Sequence, residues 1–230
     1  MDLNIYSPDI NLAGVIDQYS SIRWRRRFFE PGEFELHCKA SAENCAMLQE
    51  ENIIHRQDRK EAGIIEGIAI QTAQDGSGDE IVATGRMGSS MLERRIVTPT
   101  ITFSGPAEDA VRKLVSDNAI ANRPLPHLVL GSVAGLAPTA AFQVTWKTVL
   151  TAVEALGRAA PLGFRVRLDV PNNGFSRLMT VWIRRSRSTI GPMFCFQTNS
   201  AISPARPTPK TRPAIAILPM SAGREKISTG

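Results

Sequence analysis

Apolar and polar residues alternate with a period of two between residues 20 and 36, and this alternation predicts a β-hairpin. One face of the first half carries Ile22, Trp24, Arg26 and Phe28, and the other face carries Arg23, Arg25 and Arg27. Pro31 and Gly32 predict the turn, because proline presets φ and glycine tolerates a positive φ. In the second half Phe34 and Leu36 alternate with Glu33 and Glu35. Arginines are therefore expected to lie opposite glutamates on the polar face.

Arg26 departs from this pattern, because it falls on the apolar face beside Trp24 and Phe28. A guanidinium that is buried without a partner costs several kcal/mol. We therefore expect Arg26 to pair with a carboxylate, in its own chain or in a neighbouring one. The candidate structural or interface residues of this stretch are Trp24, Arg26, Phe28, Gly32 and Phe34.

Further strand patterns predict that residues 1–103 form an antiparallel β-domain, either a small barrel or a sandwich. Short apolar or β-branched runs occur at residues 3–6, 12–17, 52–55, 62–70 and 81–85. A polar, glycine-containing loop at residues 74–79 is typical of a hairpin connection. Ser41 is suited to cap a short helix, since its hydroxyl can accept a backbone hydrogen bond.

The pattern changes at Ser104, and residues 104–190 are predicted to form a second, α+β domain. Ser104 is expected to cap a helix whose first turn contains Pro106 and Glu108. A second helix is predicted from Trp146 to about Arg158. Strands are predicted at residues 127–130, 142–145, 162–168 and 175–183. The helices are expected to pack on a short antiparallel sheet, so the predicted fold class is α+β and rich in β-structure.

Residues 191–230 have a different composition and are predicted to form an irregular tail. Prolines accumulate there, at positions 192, 204, 207, 209, 213 and 219. No acidic residue occurs between Asp169 and Glu225, and the alternation typical of strands stops. Such a composition disfavours a packed domain.

Charge is distributed unevenly along the chain, and this distribution changes how its net positive charge is interpreted. The chain has 27 basic and 22 acidic residues, a net charge of +5. Residues 184–230 hold eight of the basic residues and one acidic residue, so residues 1–183 carry a net charge of −2. Because the folded part is not basic, the arginine run is interpreted as a paired sheet face and no nucleic-acid partner is expected. The alternative is a nucleic-acid-binding module that uses the basic hairpin Arg23–Arg27.

The residues that could act in catalysis or in metal binding form no recognisable motif. The histidines and cysteines lack the spacing of metal ligands; they are His37, His55, His127, Cys38, Cys45 and Cys195. Glu66 and Glu93 are conceivable as an acid–base pair, but nothing in the sequence places them together. No nucleophile elbow, phosphate-binding loop or zinc-binding helix motif occurs. The sequence therefore predicts no enzyme, no cofactor and no metal site, and without a long apolar run no membrane anchor.

Four blocks of sequence together resemble a siphophage tail-protein family. They are S-x-x-W-x-R-x-F with G-x-F-E-L at residues 21–36, GIIE with GR and LERRI at residues 63–96, FSGPAEDAVRKLVSDNAI at residues 103–120, and GFRV at residues 163–166. Members of this family look like tail-tip or baseplate hub proteins of phages and prophages. The resemblance covers residues 1–183, about four-fifths of the chain.

The resemblance implies a structural, non-enzymatic component of a tail tip or baseplate hub, located in the virion tail and made in the cytoplasm of the bacterial host. It implies self-association in a ring, expected to be a trimer. It also implies contacts with the distal tail protein and the tape-measure protein. A cell-wall hydrolase, the third class of function considered, would need converging acidic residues or histidines in a cleft.

The tail departs from the family, and we hypothesise a frameshift between about Ile183 and Phe196. Plausible codons for residues 196–202, read from their third base, encode Ser-Asp-Glu-Phe-Gly-Asn, which is similar to an acidic segment of family members. The same shift permits a family-like ending over residues 210–226. The nucleotide sequence is the measurement: the alternative frame is expected to be open and family-like, and stop codons in it would contradict the frameshift.

Overall fold

Seven strands from the first part of the chain form one antiparallel sheet. The computed structural model describes residues 2–72, 78–169, 178–185 and 194–195. The strands are β1 (Leu3–Tyr6), β2 (Leu12–Ile16), β3 (Ser21–Arg25), β4 (Glu33–Lys39), β5 (Ile53–Arg56), β6 (Ala62–Thr72) and β7 (Asp79–Met87). Their order in the sheet is β2-β1-β5-β6-β7-β4-β3, and every neighbouring pair is antiparallel. The predicted β-rich, antiparallel character of this region is confirmed.

The connection between β2 and β3 requires this sheet to curl. These two strands are the edges of the sheet, yet only residues 17–20 separate them. Five Cα–Cα steps span at most about 19 Å, whereas the edges of a flat seven-stranded sheet would lie about 29 Å apart. The edges therefore curve toward each other, and the sheet forms an open barrel. Its core contains Leu3, Leu36, Ile54, Ile65 and Ile81, all buried.

A short helix, α1 (Ala42–Met47), follows β4 and packs on β2. The backbone N–H of Asn44 donates to Ser41 Oγ at 3.1 Å, which confirms Ser41 as the N-cap. The Met47 side chain lies against Gly14, where a Cβ would be only 2.1 Å from the sulfur. The absence of a side chain at Gly14 therefore lets this helix approach the edge strand closely.

The hairpin predicted between residues 20 and 36 forms, but its first strand is shorter than expected and its turn is longer. β3 ends at Arg25, which pairs with Glu33, and residues 26–32 form a loop. The period-two assignment of Arg26 and Phe28 to a strand face is therefore wrong. The physical reason is that the apolar residues of this loop find partners in the second part of the chain, as described below, and not on the sheet.

The second part of the chain combines two helices with two small sheets. The helices are α2 (Ala107–Val115) and α3 (Val149–Ala159). The strands are β8 (Ile101–Pro106), β9 (Leu128–Leu130), β10 (Thr139–Val144), β11 (Leu162–Asp169), β12 (Leu178–Arg185) and β13 (Phe194–Cys195). A 3-10 helix, Gly88–Arg94, leads in from β7, and a π-helical segment, Ser116–Ala121, continues α2.

The sequence predicted one short antiparallel sheet in this part of the chain. The structure has two small sheets instead, and each combines antiparallel and parallel pairs. Their strand orders are β13-β10-β8 and β11-β12-β9. β10 pairs with β8 and β11 with β12 in antiparallel fashion, whereas β13 and β9 add to these pairs in parallel. Parallel neighbours require a long connection, and here long connections bring β9 and β13 to their partners.

Both helices begin later than the sequence predicted. Ser104 lies in β8 opposite Ala141 and caps no helix, because the β8–β10 pairing continues to Pro106. α3 begins at Val149, since the Thr148 hydroxyl accepts a hydrogen bond from the Thr151 backbone N–H at 3.1 Å. Trp146, predicted as the first residue of this helix, lies outside it with a φ of 54°.

The second core extends under the barrel. The buried residues of α2 and α3, among them Leu114 and Leu156, pack in one cluster with the buried residues of β11. Tyr6, Ile53 and Ile64 from the barrel strands belong to the same cluster. The boundaries at residues 103 and 190 stay a prediction, and the predicted irregular tail at 191–230 lies outside the described residues except for β13.

A row of polar side chains on the outer face of the barrel links three strands. Arg23 on β3 binds Glu35 on β4 at 2.6 Å. His37 on β4 contacts Glu35 through Nε2 at 3.0 Å and Glu80 on β7 through Nδ1 at 2.9 Å. The hydrogen bonds to Glu35 and then Glu80 raise the pKa of His37, against the opposing effect of burial. The charged imidazole therefore favours the folded state.

The His37 contacts predict a dependence of stability on pH. A raised pKa in the folded state contributes stability that is complete below the ordinary value of about 6.5 and is lost as pH rises through the folded-state pKa. We expect the free energy of unfolding of wild type to exceed that of His37→Gln by more at pH 5.5 than at pH 9, measured by urea titration. His127→Gln, at an exposed position, is the control. An equal difference at both pH values would contradict a charged His37 in the fold.

Candidate functional site

The loop at residues 26–32 joins the barrel to the second part of the chain. The Phe28 ring lies against Gly163 of β11, where a Cβ would be 2.6 Å from the ring. Phe28 and Phe29 make an edge-to-face contact with 4.9 Å between ring centroids. Phe29 approaches Gly157 of α3. Two phenylalanines from the hairpin loop therefore pack on the helix-and-sheet layer, and the absence of a side chain at Gly163 makes room for Phe28.

A shared carboxylate lies beside these aromatic rings. Arg26 Nη2 donates to Glu61 Oε1 at 2.7 Å, and Arg165 Nη1 donates to the same oxygen. The Glu61 side chain is only 9% exposed. Arg26 itself is 43% exposed, so it does not lie on a buried apolar face. The expected pairing of Arg26 with a carboxylate is confirmed, and the carboxylate lies in its own chain and not in a neighbouring one.

The backbone around Glu61 also bridges the two parts of the chain. Glu61 makes an isolated antiparallel bridge with Arg167 of β11. The Leu168 backbone N–H donates to the Lys60 carbonyl at 2.9 Å. The Glu61 carboxylate and the backbone of residues 60–61, just before β6, therefore both contact β11. The ion pairs form at a place where the two main chains are already hydrogen-bonded.

Electrostatics favour the charged form of Glu61. Burial by itself would raise the pKa of the carboxyl, because it removes water from the charge. The hydrogen bond from its own backbone and the nearby Arg165, Arg26 and Arg167 outweigh this effect and hold the pKa of Glu61 below its ordinary value. The carboxylate is thus ionised at neutral pH and is positioned as a structural anchor.

Trp24 and Phe34 occupy the concave side of the barrel. Their ring centroids are 5.7 Å apart, and the Arg56 guanidinium lies 5.7 Å from the centroid of the Trp24 ring. Phe34 is 3% exposed. It packs over Gly63 and Gly85, and a Cβ at either glycine would come within 3 Å of its ring. Phe34 is therefore part of the barrel core, and Trp24 is part of its rim.

Gly32 closes the loop at the start of β4. A Cβ at this position would lie 2.2 Å from the Arg25 carbonyl oxygen, so a side chain does not fit. Its own carbonyl accepts a hydrogen bond from the Met87 N–H at 2.8 Å. The structure thus divides the candidate residues: Trp24 and Phe34 lie in the barrel, and Arg26 and Phe28 lie at the junction. Their role in contacts between copies stays a prediction.

The arginine run of the hairpin is paired with glutamates. Arg23 binds Glu35 at 2.6 Å and Arg25 binds Glu33 at 2.9 Å, which confirms the predicted cross-strand arrangement. Arg27 contacts Glu30 at 3.2 Å and Glu33 at 3.3 Å. These arginines are therefore already engaged by carboxylates of their own chain, which reduces the charge available for a phosphate backbone.

Glu66 and Glu93, which the sequence did not place together, meet at one arginine. Arg86 binds Glu66 at 2.9 Å and Glu93 at 2.8 Å. The guanidinium pairs with both carboxylates, so the arrangement is an ion-pair network. Within the described ranges, no three His, Cys, Asp or Glu side chains are grouped closely enough to hold a metal ion. No helix in those ranges is both long and apolar enough to cross a membrane.

Exposed apolar residues outside the hairpin were missed by sequence reasoning. Trp146 is 73% exposed and Ile70 is 62% exposed. Trp146 was predicted as the first residue of a helix, although Thr148 is a better N-cap residue and would have moved the helix start past it. Ile70 continues a β-branched run, and nothing in that run distinguishes an exposed residue from a buried one.

The junction predicts a large effect of one substitution. Glu61→Gln leaves Arg26 and Arg165 without their carboxylate, and we expect a loss of about 2 kcal/mol in the free energy of unfolding at pH 7. Because the pKa of Glu61 is lowered, its contribution is complete above the ordinary value of about 4.3 and declines as pH falls through the folded-state pKa. The difference from wild type should therefore shrink toward pH 3.

Glu51→Gln provides the matched control for this experiment. Glu51 also pairs with an arginine, Arg94, but its side chain is 52% exposed, and the change should cost within about 0.5 kcal/mol. Equal effects of the two substitutions in urea titrations would contradict the assignment of Glu61 as the anchor of the junction.

The fold is similar to that of a solved prophage tail protein. The chain superposes on the prophage tail protein gp18 from Listeria monocytogenes EGD-e with a TM-score of 0.51 and 10% sequence identity, over 79% of this chain and 50% of that one. The tail protein from Neisseria meningitidis MC58 has a TM-score of 0.43 and 12% identity, over 78% and 49% of the two chains. The chain thus spans about half the length of these structural relatives.

A component of the type VI secretion system, the E. coli c3393 protein, has a TM-score of 0.40 and 14% identity, over 70% of this chain and 44% of that one. Its structure is described as similar to the T4 bacteriophage tail proteins gp27 and gp5. No protein of curated function matches the chain.

The sequence itself matches one family, described as Siphovirus ReqiPepy6 Gp37-like protein, over residues 2–216. This match continues past Ile183, so it includes part of the segment that the frameshift hypothesis assigns to another reading frame. The match covers most of the 230 residues. The chain therefore belongs to the Siphovirus ReqiPepy6 Gp37-like family of siphovirus tail proteins.

Proposed function

We propose that the chain is a structural component of a tail tip or baseplate hub in a siphophage or prophage. The observation that carries this proposal is the family match over residues 2–216. The family is one of structural tail proteins and not of enzymes. The likeness of the fold to prophage tail protein gp18 supports the same role.

The junction holds the two parts of the chain together, which is compatible with a structural role. Glu61 joins the barrel loop to β11 through two arginines, and Phe28 packs on the same strand. Side chains and backbone therefore connect the two parts at one place.

The proposed partners are further copies of the chain and the adjacent tail proteins. Copies are expected to form a closed ring of three through heterologous contacts. The distal tail protein and the tape-measure protein are the proposed neighbours along the tail axis. These partners rest on the family resemblance, and the virion tail is the proposed location of the protein.

The nucleic-acid-binding alternative receives less support. It requires a contiguous basic face, whereas Arg23, Arg25 and Arg27 are each within 3.3 Å of a glutamate oxygen. Phosphates would have to displace these carboxylates before binding. We therefore retain the structural role as the proposed function.

Oligomeric mass tests the proposed ring. We expect the purified chain to have three times the monomer mass in multi-angle light scattering, and antibody bound to virions to label the tail tip in electron micrographs. A monomer at high protein concentration would count against the ring. Label along the tail tube or on the capsid would count against the hub position, whatever the mass in solution.

A further inference from the structure

Trp146 and Ile96 are exposed apolar residues on two adjacent segments of the second part of the chain, and we call them the knob. Trp146 is 73% exposed and Ile96 is 42% exposed. Trp146 has a φ of 54°, a left-handed conformation that is strained for a bulky residue. An aromatic side chain that is both exposed and held in a strained conformation is an unfavourable arrangement for an isolated chain, so its surroundings must hold it in place.

Backbone hydrogen bonds hold the knob on two adjacent segments. The Trp146 N–H donates to the Val97 carbonyl at 2.9 Å, and the Val97 N–H donates to the Lys147 carbonyl at 2.8 Å. The Val149 N–H donates to the Arg95 carbonyl at 2.8 Å. Val97 is fully buried. The knob therefore has a fixed backbone, and its apolar side chains are presented to solvent by a rigid base.

The surroundings of the knob are basic. Arg123 donates to the Ile96 carbonyl, and Arg95 Nε donates to the Arg123 carbonyl at 2.7 Å. Lys147 follows Trp146 directly. Tryptophan with arginine is the composition most enriched among residues that dominate binding energy at protein interfaces. The knob thus has the chemistry of an interface anchor with a basic rim.

An open apolar groove lies at the far end of the barrel, between α1 and the β6–β7 hairpin. Its volume is about 400 Å³, and its walls include Cys45, Leu48, Ile68 and Ile70. Ile70 is 62% exposed. Glu50 is the one charged residue among the described residues that line it. The groove is larger than an indole ring and carries the charge opposite to that of the knob.

The knob and the groove are separate surfaces, because Trp146 is 73% exposed and neither it nor Ile96 is among the described residues that line the groove. The second part of the chain contacts β6 at its start, where Glu61 bridges to Arg167. Ile70 lies nine residues beyond Glu61, on β6, a distance of about 30 Å along a strand. A contact between these two surfaces therefore requires two copies, arranged head to tail.

We propose that Trp146 of one copy inserts into the groove beside Ile70 of the next copy, with Lys147 and its arginine neighbours facing Glu50. The inference rests on the proposed ring and specifies its contact. Two different surfaces meet, so the contact is heterologous, and it propagates from copy to copy until a ring closes. It also buries three of the exposed large apolar residues of the described chain, Ile70, Ile96 and Trp146.

Cross-linking through the natural Cys45 in the groove wall tests this contact. In a Cys195→Ser background, Lys147→Cys places a thiol beside the knob and leaves Trp146 in place. Cys38 is buried, and burial raises its pKa to about 11, so it contributes little thiolate. Under mild oxidation by copper–phenanthroline we expect a ladder of disulfide-linked multimers that ends at the number of copies in the ring.

Two control variants make the result specific. Cys45→Ser, added to Lys147→Cys, should abolish the ladder. Val133→Cys introduces a thiol at another exposed apolar position, 63% exposed, and should yield no ladder. A Lys147→Cys ladder that survives Cys45→Ser would overturn the contact, and so would an equal ladder from Val133→Cys.

Dissociation measurements complete the test and separate this inference from the proposed function. Trp146→Ser and Ile70→Asp should each weaken assembly by roughly thirtyfold or more, with unchanged far-ultraviolet circular dichroism. Lys147→Glu should weaken assembly as well, and the addition of Glu50→Lys to the same chain should restore it. If wild type forms a ring that these changes leave intact, the contact is wrong and the hub role stands. If wild type is a monomer, both the contact and the ring are wrong.

Discussion

The buried carboxylate of Glu61 is the interaction on which the arrangement of the two parts depends. It connects three segments that are distant in sequence: the hairpin loop at Arg26, the start of β6, and Arg165 on β11. An ion pair of this kind adds modest net stability, but the loss of one partner is costly because the remaining charges are left buried. Its main consequence is specificity, since one relative placement of the barrel and the helix layer satisfies all three groups.

Pairing of opposite charges also connects neighbouring strands on the barrel surface. Each arginine of the run at 23–27 has a glutamate within reach, and His37 joins β4 to β7 through two carboxylates. Single exposed pairs contribute little to stability. Their collective effect is a surface that is nearly neutral, and a neutral surface suits a subunit that packs against other proteins more than one that follows a phosphate backbone.

Two of the exposed apolar residues, Trp146 and Ile70, lie beside segments that are anchored in the core. Trp146 is strained, yet the hydrogen-bonded segments beneath it end in the buried Val97 and the N-terminus of α3. The groove has a similar support, because Leu48 and Ile81 at its base are fully buried. Both surfaces are therefore preorganised, and little conformational entropy would be lost when they are covered.

The sequence by itself determined most of the strands, the presence of the helices and the need of Arg26 for a carboxylate, because alternation and burial penalties are local properties of the chain. The sequence also contains the four blocks that resemble the siphophage tail-protein family. Only the tertiary structure decided which carboxylate Arg26 meets, since Glu61 lies 35 residues away. It also decided that β3 ends at Arg25 and that Trp146 lies outside α3. These outcomes depend on partners in other segments, Gly163 and Val97, whose proximity no local pattern encodes.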